Sequence, residues 1–482
     1  MNAYITALVL YSLALTALGL TISRRVRTSS DYLVAGRTLG PGMLFATFLA
    51  ANIGAGSTVG ATGIGYRFGL SAWWWVGSAS IGGFFLAQML GPRLWSIAKQ
   101  HSLSTMGDYL EYRYSKAVKA VIALLLWIGT LTLLAAQLIA VATILNVSAG
   151  APKWLGCLVG GIVAIAYCAA GGLMSSAFVN VFELIVTMSG LLLALPFALN
   201  HVGGWSHITA VLAAQPATRS MLSITGVGLK QVIGYIVLLA PSFMISPGLV
   251  QKLYGARDER TVRLGIGLNA IAQALFAFVP AILGLCVLIT YPHLATPEFA
   301  MPLAIKHLLP RWLGMWAMAS IFSAELSATG AILFMLSTSL AVDLYKSFLN
   351  PRVSEAQLLF ANRLVAVLAG LAGILLAIRL PSILSAISIF YGLLSVSLFV
   401  PVLAGLYSRR AHAPAALASI CAAILTTLLA KHLTHNQGWW VLSPEAMGIL
   451  ASAIIMLVFG LARPRQPRRE AELPQATYIR TG

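Results

Sequence analysis

Of the thirteen Asp and Glu in the chain, only Glu183 and Glu325 fall inside long apolar runs. An acid at membrane depth is costly and marks an ion, proton or solute pathway. Each is therefore a candidate coupling group, against the plainer reading of a solvated Glu183 and a neutral, hydrogen-bonded Glu325. The other chemistry-bearing stretch is 43–69, MLFATFLAANIGAGSTVGATGIGYRFG, in which glycines recur from Asn52 to Gly65 with Ser57, Thr58 and Thr62 among them. Glycine costs about 1 kcal/mol in a helix interior, so a helix here is expected to unwind near its middle. Carbonyls freed at membrane depth need partners, and broken helices use them to hold ions and solutes. Close packing of small residues is the plainer alternative. No Walker or Rossmann motif in context and no nucleophile–base–metal set accompanies these residues, and GATGIG at 60–65 is a coincidence of spacing. That speaks against an enzyme or an ATP-driven pump.

The elements that must position these groups are apolar helices. The chain has 482 residues, 59% hydrophobic and 9% charged, with mean hydropathy +0.88. Long apolar runs rather than alternating ten-residue segments make it an all-α integral membrane protein. The net charge of +18 sits in loops between the runs, which excludes nucleic acid as a partner and names the lipid bilayer instead. Cys157, Cys168, Cys286 and Cys421 lie in apolar runs without paired or metal-like spacing, and the eight histidines form no ligand set. No cofactor is expected.

Thirteen apolar runs follow one another. They are 3–22, 43–65, 70–92, 119–147, 153–172, 177–199, 227–247, 264–291, 312–342, 358–378, 383–408, 413–433 and 444–462. The first is followed at once by Arg24, Arg25 and Arg27, the reverse of a cleaved leader. With the N-terminus outside, 23 of the 31 Lys and Arg fall on the cytoplasmic side, which sets the C-terminus inside. The plasma membrane, or the inner membrane of a bacterium, is the expected location. Residues 463–482 are expected to form a disordered cytoplasmic tail.

The run at 227–247 repeats the oddity of 43–65, with Pro241 and Pro247 flanking Ser242 and Ser246. Two broken spans, each opening a block of five and crossing in opposite directions, predict inverted repeats with a midplane site. The repeats would be 43–199 and 227–408, with an extra span at 3–22 and two more at 413–462.

Four motifs carry a resemblance: SSDYLVAGRTLGPG (29–42), YCAAGGLMSS (167–176), VQKLYGARDERTVR (250–263) and STSLAVDLYK (337–346). In these the chain resembles the sodium:solute symporter family. The resemblance implies a five-plus-five inverted-repeat transporter with discontinuous first and sixth core helices, importing a small organic solute by ion symport through alternating access. It implies Na+ held by the carbonyls of Ala50, Ile53 and Ala324 with the hydroxyl of Ser327. The family's second adjacent hydroxyl is replaced by Ala328, with Thr329 turned about 100° away, and an acid on the fifth core helix is replaced by Asn180. The sodium site is weakened accordingly. Glu325 or Glu183 then becomes the group that supplies the missing charge or couples H+ in place of Na+.

Asn52, Ser57 and Thr58 on the first break, Ser242 and Ser246 on the second, and Tyr391 with Ser395 on the tenth core helix are the candidate solute contacts. Trp73, Trp74 and Trp75 either wall the vestibule or form an interfacial belt. Places where sugar-transporting relatives carry carboxylates and amides are mostly Ser, Val or Pro here, which favours a monocarboxylate or amino acid over a sugar. A proton-coupled or uncoupled carrier, and a solute sensor acting with a separate partner, are the alternatives.

Overall fold

The structure, a computed structural model, describes residues 3–23, 33–168 and 172–462. The expected tail, the start of the first motif and the Ala-Ala-Gly of the second lie outside the described residues. What is described is helical, with isolated bridges at Leu39–Ala256 and Trp439–Leu442.

In chain order the principal helices are α1 (Ala3–Ser23), α2 (Pro41–Asn52), α3 (Ala61–Phe68), α4 (Trp73–Phe85), α5 (Gly91–Gln100), α6 (Met106–Arg113), α7 (Lys116–Ala149), α8 (Lys153–Cys168) and α9 (Gly172–His201). After two short peripheral helices come α10 (Leu229–Ile245), α11 (Pro247–Tyr254), α12 (Glu259–Phe276), α13 (Phe278–Thr290), α14 (Arg311–Thr338), α15 (Glu355–Arg379), α16 (Ile383–Tyr407), α17 (Ala413–Leu433) and α18 (Pro444–Leu461). Local signals set several ends. Ser115 caps the start of α7 by accepting from the Val118 amide, and Gly150 at φ +69° closes it. Asp258 caps α12, and Ser354 with Gln357 forms a capping box on α15.

Among the described residues nine helices are long and apolar enough to cross a membrane. The number is ten if α2 and the segment Gly56–Gln100, bent by 64° across their break, count as one. This is fewer than the thirteen apolar runs. The runs at 43–65 and 70–92 share the bent pair, and Tyr4–Leu15 and Lys153–Ala166 are shorter apolar helices.

The two breaks differ. Ile53, Gly54 and Ala55 leave the helical path between α2 and a π-turn at Gly56–Gly60. The second interruption is Ser246 alone, at φ −54°, ψ 121°. Pro241 lies inside α10, so the expected two-proline break contracts to one residue. Pro247 opens α11, where its missing N–H was unpaired in any case.

Packing divides the core into two groups. The broken pair α2/α3 packs on α12 and α13, and α10 packs on α4. The long helix α7 packs on α8, α14 and α15. Two helices join the groups: α9 lies against both α14 and α2, and α16 against both α7 and α10. The backbones of α3 and α13 touch through glycine. A Cβ on Gly65 would sit 2.8 Å from the Ala281 carbonyl, and one on Gly284 would sit 2.5 Å from the Thr62 carbonyl. At the end of α7 near α6, Lys119, 2% exposed, gathers Asp108 Oδ1 at 2.9 Å, Glu111 Oε2 at 3.0 Å and Asp343 Oδ1 at 3.7 Å. Thr105 also donates its hydroxyl to Asp343.

Candidate functional site

The site grows out of the break at 53–55. In a regular helix the Gly54, Ala55 and Ser57 amides would bond the carbonyls of Ala50, Ala51 and Ile53. Here Gly54 N–H donates to Ser57 Oγ at 3.0 Å, Ala55 N–H to Gln137 Oε1 at 2.8 Å and Ser57 N–H to the Gly54 carbonyl at 2.9 Å. The carbonyls of Ala50 and Ile53 are thereby released from the ladder, while side chains satisfy the amides. Ser57 completes the turn by donating to the Asn52 carbonyl at 3.0 Å.

This break lies against α14. A Cβ on Gly54 would come 2.6 Å from Ala328 Cβ and 2.7 Å from Gln137 Oε1, so only glycine allows the approach. Ala328 is thus beside the break, while Ala324 belongs to the same unbroken helix. Ser327 Oγ donates to Asn180 Oδ1 at 3.1 Å, which leaves the hydroxyl oxygen able to accept or to ligate. Asn180 Nδ2 donates to Thr47 Oγ1 at 2.7 Å, and the Thr47 carbonyl receives Lys252 Nζ at 2.8 Å. One polar chain therefore joins α11, α2, α9 and α14. Thr329 turns its hydroxyl to the Glu325 carbonyl of its own helix, away from any ion.

Glu325 is fully buried, its Oε1 2.7 Å from Thr58 Oγ1 and its Oε2 without a hydrogen-bond partner. The two acids are therefore not equivalent. Glu183 is also buried, so it is not a solvated surface acid, but it lies on α9 where its carbonyl accepts from Ser323 rather than at the break.

Beside the first break, between it and α10, is a cavity whose lining includes Asn52, Ser57, Trp75, Gln137, Phe243 and Tyr391, and among the described residues no Asp, Glu, Lys, Arg or His. Three of the expected solute contacts, Asn52, Ser57 and Tyr391, are brought together there. Thr58 instead faces Glu325. Ser242, fully buried, spends its hydroxyl on the Leu238 and Tyr391 carbonyls, and neither Ser242 nor Ser246 lines the cavity. Ser395 likewise bonds the Gly392 carbonyl of its own helix. The tryptophans separate: Trp75 lines the cavity and donates to the Gly56 carbonyl at 2.9 Å, while Trp73 donates to the Ala274 carbonyl at 3.0 Å. Asn52 Nδ2 reaches Asn269 Oδ1 at 3.1 Å and Gln273 Oε1 at 3.4 Å on α12. Sequence reasoning missed Gln137, Asn269, Gln273 and Lys252. The signal for Gln137 was present, as a lone amide in the apolar run LLAAQLIAV, whereas Lys252 was counted only as a loop charge.

Residues 32–423 match the model of the sodium:solute symporter family. The chain belongs to that family. This symporter is a transporter and not an enzyme, and sodium-coupled solute symport is the activity its family and fold support. It is 26% identical over 476 residues to the sodium/pantothenate symporter of Escherichia coli, covering 94% of this chain and 93% of that one. It is 24% identical to the uncharacterized symporter YidK of the same organism, over 92% of this chain and 81% of the other. Among solved structures, a Na+-coupled sialic acid symporter in a substrate-bound outward-open state superposes with a TM-score of 0.79 at 18% identity, over 96% of this chain and 99% of that one. That likeness shows the fold, and the described helices share it.

Proposed function

We propose that this symporter imports a small organic solute, a monocarboxylate or amino acid rather than a sugar, together with Na+, by alternating access at the break of α2/α3. The observation that carries the reading is the release of the Ala50 and Ile53 carbonyls at a break whose Gly54 lies against Ala328 of α14. Hard cations take such oxygens, and freed carbonyls supply them without burying a full charge. Among relatives named for pantothenate, monocarboxylates, proline and glucose, the carboxylate-bearing solutes accord with this choice.

The packing supports inverted repeats over 43–199 and 227–408. In that reading α2/α3 corresponds to α10/α11, α4 to α12/α13, α7 to α14 and α9 to α16. The contacts exchange accordingly: α2 packs on α12 as α10 does on α4, and α7 on α16 as α14 does on α9. With the N-terminus outside, the Lys119 cluster lies on the cytoplasmic side and closes the inner end of the path.

A second reading, proton coupling, is favoured by one observation: the buried Glu325 carboxyl stands at the break itself, against Thr58. Uptake into proteoliposomes, measured for carboxylates, amino acids and sugars under a sodium gradient, a proton gradient or neither, separates the two. Sodium-driven accumulation is expected. Accumulation under the proton gradient alone selects the second reading, and indifference to both gradients overturns symport.

A further inference from the structure

Gln137 stands on α7 with 4% of its surface exposed, and that remainder faces the central cavity. Its Oε1 lies 2.8 Å from the Ala55 amide nitrogen. A backbone N–H can only donate, so the atom presented to it is the oxygen, and the usual ambiguity of a carboxamide is removed. The planar group then turns Nε2 away from the break. Among the described residues no hydrogen bond engages Nε2, which leaves two N–H donors for whatever the cavity holds.

We propose that Gln137 is both a solute ligand and the coupler between solute and ion, holding a carboxylate oxygen through Nε2 while Oε1 caps the break. This rests on the central cavity being the solute site. The class of solute follows from what the lining offers. Trp75, Phe243, Tyr391 and Leu239 make apolar and aromatic walls, and no acidic side chain is present to receive an ammonium. A monocarboxylate needs only donors and an apolar envelope, with its charge balanced by the co-transported cation. An amino acid's ammonium would have only neutral oxygens there, in competition with the co-transported cation, at a desolvation cost. Coupling follows from the same two atoms. Ala55 stands two residues from Ile53, whose carbonyl is proposed to hold Na+, so a solute that fixes Gln137 also fixes the loop that forms the ion site. Such linkage is reciprocal.

The test uses the full chain in proteoliposomes under a sodium gradient, with pyruvate, lactate and propionate against alanine, proline and glucose. Wild type is expected to accumulate the monocarboxylates in preference. Gln137→Glu keeps an oxygen for the Ala55 amide but loses the Nε2 donors. It is expected to raise the half-saturating solute concentration at least about tenfold, the worth of a hydrogen bond to a charged group, while a Na+-dependent rise in thermal midpoint without solute, which reads the capped break, persists. Gln137→Met, similar in size and without the cap, is expected to lose both. It also decides the matter should the Glu variant fail to fold by size-exclusion profile. Unchanged solute half-saturation in both variants, or preference for alanine or proline in wild type, overturns the assignment of Gln137 with the transport reading intact, whereas preference for glucose overturns the solute class of that reading as well. Absence of gradient-driven accumulation of every solute overturns that reading as well.

Discussion

Thr58 reaches from the π-turn after the break to Glu325 on α14, hydroxyl to carboxyl at 2.7 Å, and the same hydroxyl is 2.9 Å from the Gly54 carbonyl. A hydroxyl has one hydrogen, so Thr58 divides it between the backbone of the break and the carboxyl. Anything that draws Glu325 toward a cation alters that division and the loop with it. Glu325→Gln keeps the size and an acceptor but removes the ability to carry charge. We expect ion-driven accumulation to fall by about tenfold or more, on the scale of a charge-assisted hydrogen bond, with expression intact. Unaltered coupling in that variant would sink the role given to Glu325.

Ala328 faces Gly54 with a methyl group where a hydroxyl would add an oxygen to the ion's surroundings. Ala328→Ser is expected to lower the sodium concentration for half-maximal uptake several-fold, each factor of ten being about 1.4 kcal/mol. Titrating uptake with Na+ at fixed solute reads this directly. A rise instead would mean that Ala328 serves the close approach of α2 and α14 rather than thinning the site.

The Lys119 cluster places one ammonium among three carboxyls at the junction of α6, α7 and the end of α14. Removing the buried cation leaves its partners uncompensated, a loss on the order of 3–5 kcal/mol. Lys119→Met should therefore lower the thermal midpoint strongly. Glu111→Gln, at a partner 30% exposed, should lower it far less. Equal effects would show that the cluster is not electrostatically organised around Lys119.

Asp258 caps α12 in the loop after α11, and its hydrogen bond from the Thr261 backbone is the main reason its carboxyl lies below the ordinary aspartate range. The folded pKa is depressed, so this stabilisation is complete above the unfolded value of about 4 and is lost as pH falls through the folded one. The gap in thermal midpoint between wild type and Asp258→Ala should be constant near neutrality and close below about pH 4. A gap that widens on acidification contradicts the cap.

Which parts of this were legible beforehand depends on the range of the signal. The unwinding at 53–55 follows from glycine spacing, a local property, and the helical class follows from run length. The number of spans is less legible, because hydropathy marks apolar runs without showing where a helix bends or breaks. Ser242 shows another limit: a serine beside a proline looks free in sequence, whereas its hydroxyl is engaged by carbonyls of two helices. Gln137 and Lys252 were overlooked because their partners, Ala55 and Thr47, lie 82 and 205 residues away. Contacts of that separation leave no periodicity to read.

The glycine seam between α3 and α13 gives the break a mechanical meaning. With Gly65 against Ala281 and Gly284 against Thr62, two backbones are meshed with no side chain between them to slide or re-pack. In the alternating access proposed above, the far half of the first broken helix would not swing by itself. It would move as one jaw with α13, with the three residues at 53–55 as the pin on which that jaw turns.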